Sequence, residues 1–247
     1  FDVVLVPSTD ARVQLEASGF DSSKLRAFER TVDLDVFAPV SGASAWLDLQ
    51  GLSAGDFTMV YAGRVSEDKR LGLLMDAFEL AAEQDAGIRL LVVGEGPDAD
   101  GIAARCFGHP RASFVGRVAH GEMPLVYSAC DLMVFPSTTD TFGMAVLEAQ
   151  ACKLPALVSA AGGPKEVISP GETGWVVRDE PKAWAEMMLQ AAHRARHQPL
   201  EWRRTRDACR LRACERHGDE PFIRELFLRC TRKEKPPRRA ASTGSCV

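Results

Sequence analysis

Between Phe57 and Val177 six short apolar runs recur, at 57–62, 88–93, 113–115, 132–135, 156–159 and 175–177. Runs that lack polar alternation belong to strands covered on both faces. Segments with helical spacing separate most of them, at 69–83, 123–130, 144–152 and 164–168, and a further one follows at 181–196. The first places Leu71, Leu74, Met75, Phe78 and Ala82 along one side, and the last opens on Pro181, a residue suited to the first helical position. Strands alternating with helices give an α/β fold, a doubly wound parallel sheet with helices on both faces. Such sheets bind ligands outside the carboxyl ends of their strands. Chemistry is therefore expected in the turns at 63–69, 94–97, 116–118, 137–144 and 160–163.

The flanks are less regular. Residues 1–6 read as a strand, 10–18 as a helix closed by Gly19, and 24–28 as another short strand. The chain opens on this apolar strand without a Met, and is read as continuing from a missing upstream segment. Residues 33–55 are rich in Pro, Gly, Ser and Ala, with a short helix at 45–50. From His193 onward fifteen Arg and Lys stand against seven Asp and Glu. Helices are expected there at 202–214 and 221–230, followed by a disordered stretch at 233–247. Arg203, Arg204, Arg206, Arg210 and Arg212 are expected to face solvent. The second reading, attachment to an anionic membrane, is weakened by Asp207 and by the lack of an aromatic stripe beside them.

Composition narrows the class. The 247 residues are 46% hydrophobic and 26% charged, as in globular proteins, and the net charge of -4 gives no hint of a nucleic-acid partner. Seven cysteines, an odd number with no C-x-x-C pair, suggest neither a disulfide framework nor a zinc site. Neither a secretory signal nor a membrane span is apparent. Reduced thiols in the cytoplasm are the expectation.

Four turns carry polar chemistry. Gly63 is followed by Arg64 and Lys69 close to a helix start, which suits an anion, although a solvated turn reads the same way. Gly94-Glu95-Gly96-Pro97 is a tight turn that does not extend into a dinucleotide fingerprint. The stretch Ser137 to Met144 leads into a helix whose first amides lack partners, and Gly143 lets a ligand approach the backbone. A diphosphate fits there. Asp140 lies before the helix, within reach of a sugar hydroxyl, and Glu148 can accept from two ribose hydroxyls. The plain reading makes Asp140 a helix N-terminal acid and Glu148 a surface residue. Yet Leu147, Ala149 and Ala151 surround Glu148, and a buried carboxylate needs partners. Ala161-Gly162-Gly163-Pro164 is a further glycine turn into a helix.

Taken together, these stretches resemble the C-terminal, Rossmann-like half of glycosyltransferase family 4, a retaining family of two-domain GT-B fold. Gly63, Arg64 and Lys69 match its G-R-x-x-x-x-K segment, and Val93 to Pro97 match V-G-x-G-P. Phe114-Val115-Gly116-Arg117-Val118 resembles F-x-G-x-V. Pro136, Ser137, Asp140, Phe142, Gly143, Glu148, Ala149, Ala151 and Pro155 follow the family signature, with Asp140 in place of the usual Glu. Lys153 stands where a Gly is usual and Thr31 replaces the Gly before Val32-Asp33. The resemblance implies that Arg64 and Lys69 contact the donor diphosphate and that the backbone at Val118 contacts the base. It further implies that Glu148 holds the ribose, that Asp140 contacts the transferred sugar as the catalytic acidic residue, and that the Phe142, Gly143 and Met144 amides face the diphosphate and sugar.

The implied organisation is a remnant of an N-terminal acceptor domain at 1–38, a linker at 39–55 and a donor domain at 56–198. A helical segment at 199–232 and a tail at 233–247 follow. The implied activity is retaining hexosyl transfer from a UDP- or GDP-linked sugar to a glycan or lipid acceptor, with no metal or cofactor. The enzyme would be cytoplasmic, with peripheral contact to the membrane face as an option, and this chain alone would be inactive. A noncatalytic nucleotide-sugar-binding module and a GT-B-fold epimerase or phosphorylase are the alternatives.

Overall fold

The computed structural model describes residues 2–28, 30–52 and 55–217. The expected helix at 221–230 and the tail at 233–247 lie outside them. A small N-terminal unit holds β1 (Val4–Val6), α1 (Thr9–Ala17) and β2 (Leu25–Ala27). Its two strands pair in parallel, with Val4 opposite Leu25. Ser8 starts α1 by accepting the Ala11 amide on its hydroxyl at 3.1 Å. Residues 30–52 then carry α2 (Ser44–Leu49), and their Val32, Phe37, Leu47 and Leu52 are buried in the main core.

The main unit runs β3 (Phe57–Ala62), α3 (Leu71–Gln84), β4 (Ile88–Val93), α4 (Ala99–Phe107), β5 (Ala112–Gly116) and α5 (Met123–Ala129). It continues through β6 (Leu132–Phe135), α6 (Met144–Ala151), β7 (Ala156–Ser159), α7 (Pro164–Val167), β8 (Gly174–Val177), α8 (Pro181–His197) and α9 (Pro199–His217). The six strands from β3 onward form one parallel sheet in the order β5-β4-β3-β6-β7-β8. The expected doubly wound α/β fold is thus the one observed. Every residue of β3, β6 and β7 is buried, which explains their unbroken apolar character. α3 packs on α8, and α6 on α9. Leu90, Leu132 and Trp184 are fully enclosed, and truncating such a side chain to Ala costs about 2–5 kcal/mol.

The strand order reverses between β3 and β6, which are parallel neighbours with Met59 opposite Leu132 although β4 and β5 lie between them in sequence. The loops leaving these two strands therefore flank one crevice at the carboxyl edge.

The Arg-rich segment differs from expectation. It forms α9, longer than the expected 202–214; Arg203 and Arg204 are exposed as expected, but Arg206, Arg210 and Arg212 are docked on the main unit. Trp202 is buried, stacked on Trp175 at 6.0 Å and edge-on to Phe57 at 5.8 Å. Arg206 donates to the Cys130 carbonyl, and Arg212 to those of Glu166, Val167 and Ile168. Arg210 Nη1 reaches Phe37 O at 2.5 Å and Ala151 O at 2.9 Å, while Nη2 reaches Leu34 O at 3.2 Å. Guanidinium forks that close off carbonyls extend the narrow apolar face of Trp202, Cys209 and Ala213 that docks α9.

Candidate functional site

Lys69 and Asp140 meet across the switch point. Tyr61, at the end of β3, lies flat against Phe135 of β6 at 5.9 Å, and its hydroxyl donates to Arg64 O at 2.7 Å. This fixes the first turn of the loop. The helix expected to begin at Lys69 begins at Leu71. Residues Glu67–Lys69 form a tight turn, and Arg70 adopts a left-handed conformation with φ 57, which costs a non-glycine residue about 1 kcal/mol. Arg70 is held by an ion pair to Asp179. The turn aims Lys69 across the crevice, where Nζ lies 2.8 Å from Asp140 Oδ2 and 3.3 Å from Asp68 Oδ2. Burial works against the Lys69 ammonium, but the Asp140 hydrogen bond and charge outweigh it and raise its pKa. The Ser66 hydroxyl, donating to Asp68 at 2.5 Å, is the main cause that holds the Asp68 carboxyl at about 2. Thr139 donates to the other Asp68 oxygen at 3.1 Å, a second tie between the two loops. Asp68 and Thr139 belong to the site although neither was singled out in the sequence. Arg64 is exposed on the same loop, and its side chain has no ion pair among the described residues.

Two glycines make these approaches possible. A Cβ on Gly94 would sit 1.8 Å from Gly63 O, so the turns after β3 and β4 touch backbone to backbone. Gly143 has φ +93, and a Cβ there would lie 2.9 Å from Pro164 Cγ. Gly143 heads α6 without a side-chain cap. Helix geometry leaves the Met144 and Ala145 amides without intrahelical acceptors, pointing out of the helix start. The neighbouring turn supports this loop, with Gly163 N donating to Asp140 O at 2.8 Å.

Glu148 lies one turn into α6 and is half-buried. Tyr127 of α5, itself buried, donates its hydroxyl to Glu148 Oε2 at 3.3 Å. Burial raises the Glu148 pKa, against the opposing charge of His120 and the Tyr127 hydrogen bond. Phe37 packs edge-on to His120 at 5.0 Å and tilted on Tyr127 at 6.4 Å. Val118, in the loop after β5, is half-buried and packs against the main core. The Phe142 side chain is buried and lines a cavity of about 260 Å³ with Val6, Ser8, Thr9, Phe28 and Glu166. That cavity lies at the seam with the N-terminal unit, and Arg64, Lys69, Asp140 and Glu148 are not in its walls. Among the described residues no three His, Cys, Asp or Glu side chains gather as metal ligands, and no helix is long and apolar enough to cross a membrane.

Basic groups on the loop after β3, open helix amides at the start of α6 opposite them, and a carboxylate one turn along that helix suit a ligand that joins an anion to a polyol. Known proteins share this arrangement of elements. The structure of HepE from Anabaena, in complex with UDP and glucose, superposes with a TM-score of 0.79 at 20% identity, covering 93% of this chain and 62% of that one. Sucrose-phosphate synthase from Thermosynechococcus elongatus gives 0.73 at 27% identity, with 92% and 59% covered. The D-inositol 3-phosphate glycosyltransferase of Mycobacterium tuberculosis (strain ATCC 25618 / H37Rv) is 30% identical over 194 residues, 74% of this chain and 39% of that protein. The chain thus spans well under half the length of that relative. A family model described as "Glycosyl transferases group 1" matches residues 56–194, the whole of the sheet and its helices through most of α8. The chain belongs to the glycosyl transferases of group 1.

Proposed function

We propose that this chain binds a UDP- or GDP-linked hexose and forms the donor-binding half of a retaining glycosyltransferase of family 4, acting on a glycan or lipid acceptor. The observation that carries the reading is the meeting of Lys69 and Asp140 at the switch point, 2.8 Å apart, beside the uncapped start of α6. Breaking the bond between the sugar and a nucleoside diphosphate places negative charge on the leaving phosphate. Cations and helix amides held in advance around that position stabilise it. In this reading Lys69, the exposed Arg64 and the Met144 amide take the diphosphate, Asp140 takes a hydroxyl of the transferred sugar, and Glu148 takes the ribose. The backbone at Val118 borders the base. These groups supply the charge without a metal. The complex of HepE with UDP and glucose supports a uridine-linked hexose as the first donor to test. Transfer itself is proposed for the whole protein, because the chain spans 39% of the inositol-phosphate relative.

Titration calorimetry of the 247-residue chain with UDP and GDP tests the reading. Binding of at least one is expected, and Glu148→Ala should weaken it by about 1–3 kcal/mol, the scale of a lost charged hydrogen bond. Absence of heat with either nucleotide and with their glucose conjugates would refute the proposal.

A further inference from the structure

Glu148 has a hydrogen-bond partner in the interior of the fold. A glutamate on a helix has three rotatable side-chain bonds, and a partly buried carboxylate without a fixed donor turns and takes up a proton more readily. Here one oxygen, Oε2, accepts the Tyr127 hydroxyl at 3.3 Å. Tyr127 is 1% exposed, and its ring is wedged by Phe37. The Phe37 carbonyl is in turn gripped by Arg210. The hydroxyl remains protonated because burial, with the Glu148 charge added, pushes its pKa well above the ordinary phenol range. It is therefore a donor at every physiological pH, mounted on a ring with few degrees of freedom.

We infer that Tyr127 is a positioning residue for nucleotide recognition: by holding Oε2 from the core side it fixes the Glu148 carboxylate so that its remaining acceptor sites serve the two adjacent hydroxyls of a ribose. A carboxylate offers about four lone-pair sites. One goes to Tyr127, which leaves enough for both hydroxyls. This inference rests on the donor-binding reading above. The residues concerned come from three segments, 30–40, α5 and α6, so discrimination between ribose and deoxyribose depends on groups that never touch the nucleotide.

The test is a cycle of hydroxyl deletion against side-chain deletion. Affinities of UDP and 2′,3′-dideoxy-UDP, or of the guanosine pair where GDP binds better, are measured for the wild type, Glu148→Ala and Tyr127→Phe. The wild type should prefer the ribonucleotide by roughly 10- to 100-fold. Glu148→Ala should bring the ratio close to one. Tyr127→Phe should reduce it about 5-fold or more, with the dideoxy affinity unchanged. Phe37→Leu keeps the hydroxyl but removes the ring behind it, and should lower the ratio in the same direction. A wild-type ratio in both Tyr127→Phe and Phe37→Leu, alongside a collapsed ratio in Glu148→Ala, would overturn the inference and leave the donor reading standing. An unchanged ratio in Glu148→Ala would instead remove Glu148 from the ribose, and this inference with it.

Discussion

Lys69 Nζ donates to Asp140 Oδ2 at 2.8 Å, so the cation after β3 and the acid after β6 neutralise one another across the crevice. In the proposed function a diphosphate competes with Asp140 for this ammonium. Removing the carboxylate charge while keeping its shape should therefore help the anion and harm sugar recognition. Asp140→Asn is predicted to bind free UDP as tightly as the wild type or up to about 10-fold more tightly, in line with the loss of a like charge close to the phosphates. Its preference for the sugar conjugate over the free diphosphate should fall. Lys69→Met should lose UDP affinity. Calorimetry with the paired ligands checks both, and a drop in free-UDP affinity in Asp140→Asn would contradict the competition.

If Glu148 holds the ribose as proposed, it sets a pH dependence of binding. Its pKa is raised by burial, and Tyr127, His120 and the Cys152 thiol face it from α5, the turn before α5 and its own helix. Only the carboxylate accepts from two ribose hydroxyls. Affinity for UDP is expected to fall on acidification, beginning above the ordinary glutamate range, and Glu148→Gln should flatten that limb. The folded chain holds this proton more tightly than the unfolded chain does. Protonation in the same interval therefore favours folding while it disfavours the nucleotide. A binding profile that is level down to the ordinary range would argue against the carboxylate's role.

Lys153 adopts φ 63 just past α6, in the left-handed position that favours glycine, and its ammonium pairs with Asp207 of α9 at 2.6 Å. Both partners are largely exposed, so the pair is worth at most about 1 kcal/mol. Lys153→Ala and Lys153→Gly lose the pair equally. The glycine variant escapes the left-handed penalty but gains unfolded-state entropy. It should be the more stable of the two by about 0.5–1 kcal/mol. Urea melts of the two variants decide it, and equal midpoints would mean that the turn relaxes without cost.

Arg210 closes three carbonyls at once, from Leu34, Phe37 and Ala151. Arg210→Ala should destabilise the chain by about 2–4 kcal/mol through these unsatisfied acceptors. Arg210→Lys should recover only part of this, since an ammonium cannot span the fork. Recovery to wild-type stability by lysine would show that charge alone, and not the fork, matters there.

The sheet was legible because β3, β4, β6 and β7 are enclosed on both faces, so their apolar runs have one structural meaning. The crevice followed from where Gly63 and Gly143 interrupt the pattern. The contact of Lys69 with Asp140 was not legible, since it depends on Arg70 turning left-handed and on strand order, neither of which a motif records. Tyr127 escaped notice because, on α5, its spacing is that of any core aromatic, and only the packing shows its hydroxyl reaching Glu148. The docking of α9 was misread for the opposite reason. Its arginines carry the appearance of a solvated face, yet Arg206, Arg210 and Arg212 end on main-chain oxygens.

Glu166 accepts the Thr9 and Asp10 amides at 2.9 and 3.0 Å, and Lys165 meets the Asp10 carboxylate at 2.9 Å. Two residues earlier than Lys165, Gly163 N donates to Asp140 O at 2.8 Å. One four-residue span, 163–166, is thus fastened at one end to α1 and at the other to the loop carrying Asp140. The N-terminal unit and Asp140 are thereby tied to the same short segment around Pro164. A displacement of β1 and α1 therefore has a direct bonded route, through residues 163–166, to the backbone of Asp140.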